Sequence, residues 1–200
     1  MIRDIISGIS AGILILIGCC VYLACESTYV GAVLFSVALL CICYKGYALF
    51  TGRVGYLPEK HDRAAVQALL FALLGNAIAT SILGFAAAYA IPSITARALT
   101  ICTAKLEQTV LQAFLRAVLC GILMYLAVSI YRDQKSIAAI FFCVPTFILS
   151  GFEHSIADMG YFAISGIVSL DAFLFLLIVI LGNAVGGMLL PLLQRIGAKQ

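Results

Sequence analysis

Long apolar runs separated by short polar breaks constrain this chain more than any other feature of its sequence. Of its 200 residues, 64% are hydrophobic and 10% are charged, whereas a soluble domain carries about 25% charged residues. Such runs need a bilayer as their solvent. Inside a bilayer the backbone must satisfy its own hydrogen bonds, so only helices and closed barrels can cross it. Runs of this length indicate helices.

Six apolar runs are long enough to cross the hydrocarbon core, which takes about 20 residues of helix. They are 5–25, 29–50, 64–90, 107–131, 136–168 and 169–193. The fifth is too long for one helix, and we expect it to be broken in the middle. Polar connections are expected at 26–28, 57–63, 93–105 and 131–135. The sequence therefore predicts an all-α polytopic membrane protein that forms a single domain over residues 1–200.

Lysine and arginine are distributed unevenly between the two predicted sides of the membrane, and this bias sets the orientation. One side holds Arg97 and Lys105. The other side holds a larger set: Arg3, Lys60, Arg63, Arg132, Lys135, Arg195 and Lys199. Both termini are therefore expected on the cytoplasmic side of the cell (inner) membrane. The net charge of +3 is too small to argue for a nucleic-acid partner.

Eight cysteines invite a metal or redox interpretation: Cys19, Cys20, Cys25, Cys41, Cys43, Cys102, Cys120 and Cys143. The close pairs at 19–20 and 41–43 lack the spacing of zinc ligands. In apolar runs, a free thiol behaves as a small hydrophobic side chain. We therefore expect no metal and no cofactor. A membrane enzyme or redox protein stays as an alternative, although the chain has only two histidines, His61 and His154.

The tetrapeptide Leu-Gly-Asn-Ala occurs twice, at 74–77 and at 181–184, so that the copies lie 107 residues apart. This offset is about half the chain. Each half then contains three spans, over about 5–90 and 107–193. An odd number of spans makes the second half enter the membrane from the opposite side. The sequence therefore predicts an inverted repeat.

Two segments, 45–55 and 150–162, interrupt apolar runs with glycines and polar residues. Paired interruptions of this kind are typical of a substrate site at the bilayer midplane. Thr51 and His154, which are 103 residues apart, lie at the two interruptions. We expect a half-helix to follow each one, with its N-terminus pointing to the centre. Helix N-termini carry partial positive charge and free N–H groups, so the pair predicts a site for a small anion.

Several motifs resemble those of the formate/nitrite transporter family. They are GFEHSIADM (151–159), LFTG (49–52) and LGNAVGG (181–187), together with Arg116 and Cys120. The resemblance covers essentially the whole chain in order. It implies an aquaporin-like 3+3 inverted repeat of six spans, with the second and fifth broken, assembled as a homopentamer. It also implies a channel or transporter, not an enzyme, that passes formate, nitrite, hydrosulfide, lactate or a similar anion.

Carried over by motif, the resemblance assigns side chains to a pore. His154 is the expected central histidine, and Thr51 is its partner on the opposing loop. Lys105 matches a basic residue that draws anions toward the pore from outside. The constrictions are expected at four apolar side chains: Phe35 and Phe147 on the outer side, and Leu39 and Leu49 on the inner side.

The chain departs from the family pattern near the expected path. The departures are Lys45, Ala48, Arg53, Gly121 and Asp158. Two interpretations stay open. In the favoured one, Lys45 and Asp158 form a charge pair in which each residue offsets the cost of burying the other. In the second, Lys45 or Arg53 offers the anion a full positive charge.

Two further ionisable residues are expected to have roles near the path. Glu153 is expected to bind backbone N–H groups of the broken segment. Arg116 is expected to bind carbonyl groups or a carboxylate between protomers. Both roles are structural.

Dry constrictions favour passage of a neutral species, because a bare ion is expensive in a low-dielectric region. We therefore predict that a proton reaches the anion inside the pore and that His154 governs this step. A channel for a small neutral polar solute, or for an altered ion, is the alternative on the same fold. The changes at Gly121 and Asp158 would make it possible.

Overall fold

The regular structure of this chain is helical wherever it is described, which covers residues 1–60 and 62–198 of a computed structural model. His61 and Lys199 lie outside these residues. The helices are α1 (Ile2–Ala24), α2 (Thr28–Lys45), α3 (Phe50–Arg53), α4 (Arg63–Ala90), α5 (Thr95–Leu106), α6 (Val110–Gln134), α7 (Ala138–Leu149), α8 (Ser155–Ser165) and α9 (Leu170–Gly197). Short 3₁₀ turns follow α3 at Val54–Tyr56 and α4 at Pro92–Ile94. The predicted all-α polytopic class is confirmed.

Five of the described helices, namely α1, α2, α4, α6 and α9, are long and apolar enough to cross a membrane. Helix α7 is apolar but has only 12 residues, and α8 has 11. At 1.5 Å per residue, each of these two covers only about half of the hydrocarbon core. The chain is therefore a multi-pass membrane protein, while the count of six spans stays a prediction.

The outer surface of the protein is apolar, as expected for a chain that is solvated by lipid or covered by neighbouring subunits. On α4, for example, Leu70, Leu74, Ile82 and Phe85 are exposed, whereas Asn76 is fully buried. The buried interior contains small, hydroxyl, amide and charged side chains. Polar side chains inside a membrane protein face the bundle interior because lipid cannot hydrogen-bond to them.

Residues 93–105, which we expected to form a polar connection, instead form most of helix α5. Ile94, Ala98 and Cys102 are buried and recur every four residues, so they make an apolar stripe. Arg97 donates hydrogen bonds to the carbonyl groups of Leu23 and Cys25. The connection is thereby folded against the bundle, and Lys105 comes into contact with α8.

Glycines let two pairs of long helices approach closely, α1 with α4 and α6 with α9. A Cβ atom on Gly8 would lie 2.4 Å from the carbonyl oxygen of Ala72, and one on Gly75 would lie 2.3 Å from that of Ile5. On the second pair, a Cβ atom on Gly186 would lie 1.9 Å from the carbonyl oxygen of Val118. Small residues at such contacts are the usual means of packing helices tightly in membranes.

Helices α2 and α7 end in the same way. Each is followed by a glycine with positive φ, Gly46 at 68° and Gly151 at 67°. After each glycine, a backbone N–H reaches back five residues, from Tyr47 to the Ile42 carbonyl and from Phe152 to the Phe147 carbonyl. These are Schellman-type ends, which favour glycine because it adopts positive φ without strain.

The first prediction concerns the contact between α6 and α9. Substituting Gly186→Ala places a methyl group against the backbone of Val118, so the two helices must separate. Overpacking of this kind destabilises by about 1–3 kcal/mol. We expect a lower melting temperature in detergent for this variant than for the unmodified protein.

The matched control is Gly197→Ala on the same helix, where a new Cβ atom meets nothing within 4 Å. It adds the same methyl group to α9 without a new contact, so the comparison reports on the packing against Val118. Equal melting temperatures for the two variants would contradict the close approach of α6 and α9.

Candidate functional site

Residues 46–49, the first break, separate α2 from α3 and leave backbone groups that no helix satisfies. The Asn76 side chain on α4 binds them. Its Oδ1 accepts from the Phe50 N–H at 2.9 Å, and its Nδ2 donates to the Ala48 carbonyl at 2.9 Å and to the Gly8 carbonyl at 2.7 Å. A single amide therefore joins the first break, α1 and α4.

Residues 150–154, the second break, separate α7 from α8, and Asn183 on α9 binds them with the same pattern. Its Oδ1 accepts from the Ser155 N–H at 2.8 Å. Its Nδ2 donates to the Glu153 carbonyl and to the Ala117 carbonyl, both at 2.8 Å. Both asparagines have no exposed surface. Three of the four hydrogen-bonding positions of each amide group are thereby used: both N–H donors and one lone pair of the oxygen.

These asparagines are not among the functional residues predicted from the sequence, although the signal was present. Asn76 and Asn183 are the only two asparagines of the chain, and each belongs to one copy of the Leu-Gly-Asn-Ala repeat. Two asparagines in runs this apolar need buried partners, because an unpaired amide is costly there. The repeat thus marks the residues that hold the breaks.

The hydrogen bonds also correct the register of the repeat at the centre. Ala48 and Glu153 bind their asparagines through the carbonyl group, and Phe50 and Ser155 bind through the N–H group. The offset is 105 residues, so His154 corresponds to Leu49. Thr51 and His154, which are 103 residues apart, are therefore not equivalent positions of the repeat, although the two side chains do meet.

His154 and Thr51 are in direct contact between the two breaks. Thr51 Oγ1 lies 2.9 Å from His154 Nε2, and both side chains are buried. The other ring nitrogen, Nδ1, accepts a hydrogen bond from the Ala157 N–H at 3.1 Å. Because Nδ1 uses its lone pair in this way, the imidazole carries its proton on Nε2 and donates it to Thr51. The Thr51 hydroxyl hydrogen is then left to bind another acceptor.

Aromatic and leucine side chains surround this contact. The Phe147 ring stacks on His154, with centroids 5.4 Å apart and 19° between the planes. Phe35 meets Phe147 edge to face at 6.3 Å. Leu39 and Leu49 are buried as well. All four residues predicted as constrictions are therefore buried side chains, and their role in a pore stays a prediction.

A cluster of charges lies beside His154. The ammonium group of Lys105 binds the carboxylate of Glu153 and lies 3.0 Å from Asp158 Oδ1. Gln108 Nε2 donates to Glu153 Oε1 at 2.7 Å. The predicted role of Glu153 is wrong, because its carboxylate binds the side chains of Lys105 and Gln108 and, within residues 1–60 and 62–198, no backbone N–H. Lys105 itself is mostly buried between the two acids.

The predicted charge pair between Lys45 and Asp158 is also wrong. Lys45 is exposed at the end of α2, while Asp158 is buried on α8 and binds Lys105. A lysine at a helix C-terminus interacts favourably with the helix dipole and needs no acidic partner. The second interpretation, in which Lys45 or Arg53 contacts the anion, stays a prediction.

A cavity of about 630 Å³ opens below the first break. Leu39 and Leu49 line its inner end. Arg53 lines its wall and donates from Nη2 to the Gly46 carbonyl at 3.0 Å. The charged residues around it are mostly cations: Arg53, Lys60, Arg132 and Lys135, with Glu59. The cavity is therefore a positively charged vestibule that leads toward Leu39 and Leu49.

Two other predicted residues lie away from the His154–Thr51 contact. Gly121 packs against the backbone of α9, where an added Cβ atom would lie 2.4 Å from the Asn183 carbonyl oxygen. It belongs to the α6–α9 contact and not to a charge network. Arg116 lies on the exposed face of α6. Its expected contact between protomers stays a prediction.

The two half-helices that we expected at the breaks are unequal. Helix α8 has 11 residues and begins at His154, which caps it through Nδ1. Helix α3 has only four residues before the 3₁₀ turn begins. Because the helix dipole sums over aligned peptide groups, the positive end that faces the centre is mainly that of α8.

Among the residues that the structure describes, no group of three or more histidine, cysteine or acidic side chains could hold a metal ion. All eight cysteines are free thiols. Elemental analysis of the purified protein would test the expectation that it binds no metal ion.

The chain is similar to known membrane transporters over nearly all of its length. The sequence profile of a family described as formate/nitrite transporter matches residues 1–195. An uncharacterized transporter of Bacillus subtilis, YwcJ, is 30% identical over 188 residues, which cover 80% of this chain and 70% of the relative. The nitrite transporter NirC of Escherichia coli is 28% identical over 144 residues, which cover 66% of this chain and 54% of NirC.

Two solved structures have the same fold. One is described as a pentameric formate channel with formate bound, with a TM-score of 0.82 and 24% identity over 99% of this chain and 97% of that one. The other is described as an FNT family ion channel, with a TM-score of 0.80 and 23% identity over 98% of this chain and 88% of that one. At 24% and 23% identity, the similarity to these two structures shows a shared fold.

The second prediction concerns the asparagines. Asn183→Ala removes three hydrogen bonds and leaves the Ser155 N–H and the carbonyl groups of Ala117 and Glu153 without their partner. Each unsatisfied buried group costs about 1–3 kcal/mol. We expect a strongly lowered melting temperature in detergent, and a similar loss for the equivalent variant Asn76→Ala.

Thr100→Ala on exposed α5 is the control, because it also removes a hydrogen bond, from Thr100 to the Ala96 carbonyl, but an exposed one. We expect little change for this variant. If Asn183→Ala melted at the same temperature as this control, the amide would not hold the second break.

Proposed function

Because the chain belongs to the formate/nitrite transporter family, we propose that it passes a small monovalent anion, such as formate or nitrite, through the membrane. Each protomer holds one path, and the path runs between the two breaks. The protein acts as a channel or transporter and not as an enzyme. Related proteins described as a nitrite transporter and as a formate channel support this choice of substrate class.

The observation that carries the proposal is the buried contact between Thr51 and His154. The two side chains come from opposite halves of the chain and meet where both helices are interrupted. The imidazole fixes the Thr51 hydroxyl as a hydrogen-bond donor toward a passing anion. The N-terminus of α8 adds partial positive charge at the same place. A small acceptor anion is therefore the ligand that fits this centre.

Apolar side chains on either side of the centre favour a proton-assisted passage. Phe35 and Phe147 lie on one side, and Leu39 and Leu49 on the other. Moving a bare ion into a low-dielectric region costs on the order of 20 kcal/mol in the idealised limit, and several after relaxation. Protonating a carboxylate at neutral pH costs only about 4 kcal/mol. The anion thus crosses the apolar rings most cheaply as a neutral acid, and the environment of His154 controls where it gains the proton.

The charged vestibule supports entry of anions from the side that holds both termini. Four cationic side chains and one acidic side chain line this cavity. A cleft whose charges are mainly of one sign raises the local concentration of ions of the opposite sign. The positive-inside rule makes this side cytoplasmic. We therefore place both termini in the cytoplasm and the protein in the inner (cytoplasmic) membrane.

A homopentamer is the proposed assembly, by analogy with the relative that is described as pentameric. The apolar outer surface of the protomer is compatible with neighbours, and Arg116 on the exposed face of α6 needs a polar partner at membrane depth. A contact with an adjacent protomer would provide that partner.

The third prediction tests this proposal in proteoliposomes. We expect formate and nitrite to enter faster as external pH falls, because more of the substrate reaches the neutral form. His154→Phe keeps a ring that can stack on Phe147 but removes both nitrogen atoms. It should change the rate and its pH profile, as measured by stopped-flow fluorescence.

Uncharged solutes of similar size are the control, since a channel for neutral polar solutes would pass them as quickly in swelling assays. Equal flux at every pH in both proteins would contradict the role of His154. Flux of the neutral solutes without flux of the anions would replace the proposed function with that alternative.

The fourth prediction concerns Arg53 in the vestibule. Arg53→Gln removes a charge near Leu49 but keeps a donor for the Gly46 carbonyl. We expect KM for formate efflux to rise severalfold at low ionic strength while kcat changes little. The difference should shrink at high salt, because salt screens the attraction over a Debye length of about 3 Å at 1 M. A KM that is unchanged at low salt would contradict the role of the vestibule.

A further inference from the structure

A buried cluster of Lys105, Glu153 and Asp158 holds two acids for one base. The side chains of Glu153 and Asp158 are 2% exposed, and that of Lys105 is 13% exposed. The ammonium group binds both carboxylates, and Gln108 binds Glu153 as well. With all three groups ionised, the cluster carries a formal charge of −1. One acid is enough to balance the positive charge of Lys105. The second acid leaves one negative charge in excess.

The surroundings of Asp158 offer no second cation in the described part of the chain. The titratable side chains that interact with it are Cys19 of α1, Cys102 and Lys105 of α5, Cys120 of α6, Tyr161 of α8, and Glu153. Thiol and phenol groups are neutral near pH 7. The extra negative charge therefore has no counterion in its own environment.

Asp158 also has an oxygen that lacks a partner. Its Oδ1 lies 3.0 Å from Lys105, whereas its Oδ2 is buried and accepts no hydrogen bond from any described residue. An unpaired charge at this depth is expensive, and neutralisation by a proton is the usual relief. One proton on Oδ2 makes the cluster neutral and leaves the bond to Lys105 intact. Both oxygens of Glu153, by contrast, accept hydrogen bonds, from Lys105 and from Gln108.

The cluster lies next to the centre of the proposed path. Glu153 precedes His154 in the chain, and Asp158 lies one helical turn after it, with its N–H bound to the His154 carbonyl at 2.9 Å. A charge on these neighbouring residues interacts strongly with an ion at the centre, because the protein interior has a low dielectric constant. An unneutralised Asp158 would oppose an anion at the N-terminus of α8.

We propose that Asp158 is a proton-binding residue that sets the selectivity of the path. With the proton bound, the cluster is neutral and an anion can approach Thr51 and His154. When the proton leaves for the solvent, the cluster carries −1 and repels the anion. This inference rests on the proposed function and adds to it a residue that makes passage depend on pH independently of the substrate's own protonation.

The test compares Asp158→Asn with the unmodified protein in proteoliposomes, with the same pH on both sides. The amide keeps the shape and the acceptor for Lys105 but leaves the cluster neutral at all pH values. Substrate protonation affects both proteins equally, so it cancels in the ratio of their formate fluxes. We expect a ratio near 1 at acidic pH, where the proton is bound, that rises with pH by up to about tenfold per pH unit once the proton has left.

Two matched variants separate charge from structure. Asp171→Asn removes an exposed acid in the first turn of α9, and its flux ratio should stay constant with pH. Asp158→Glu keeps the carboxyl group and should keep the pH dependence of the unmodified protein. A constant ratio for Asp158→Asn overturns the inference. Absence of formate and nitrite flux in the unmodified protein overturns the proposed function instead.

Infrared spectroscopy of the purified protein gives a readout that does not need transport or a folded Asn variant. The carbonyl stretch of a protonated carboxyl group should be present near neutral pH and vanish on going to alkaline pH. In Asp158→Glu the band should shift in frequency, which assigns it to this position. If no protonated carboxyl band is found, or if the band does not move in this variant, Asp158 holds no proton.

Discussion

Backbone groups at the two breaks impose the strictest demand on this protein, because a bilayer offers them no water. Each break lies in the buried interior of the bundle, where an unpaired N–H or carbonyl group costs several kcal/mol. Asn76 and Asn183 meet this demand with one amide each, binding an N–H on one side of the break and carbonyl groups on the other. The fold can contain irregular backbone at its centre only because these two side chains are buried beside it.

The position of the functional groups follows from these two amides. Once the second break is held, His154 caps α8 and its Nε2 atom points to Thr51 on the first break. Glycine contacts between α1 and α4 and between α6 and α9 bring the asparagines close enough to reach. The selective centre therefore depends on side chains that need not touch the substrate. Asn76 and Asn183 therefore connect the packing of the long helices to the positions of His154 and Thr51.

Local signals in the sequence were sufficient for the class of fold. Apolar runs, glycines and the repeated tetrapeptide all report on neighbouring residues along the chain. Partner choice is different, because it depends on how distant helices pack. The polar residues of α5 suggested a loop, and Asp158 was paired with Lys45. Once α5 folds against α8, Asp158 meets Lys105. The roles of Asn76 and Asn183 were missed for a similar reason, because each binds backbone groups of other segments.

The backbone on either side of Leu49 and the backbone on either side of His154 make equivalent hydrogen bonds, but the two side chains differ. Along the proposed path, a solute arriving from one face meets an aliphatic side chain where a solute arriving from the other face meets an imidazole. The two directions of travel along this path are therefore chemically distinct, even when the concentrations on both sides are the same.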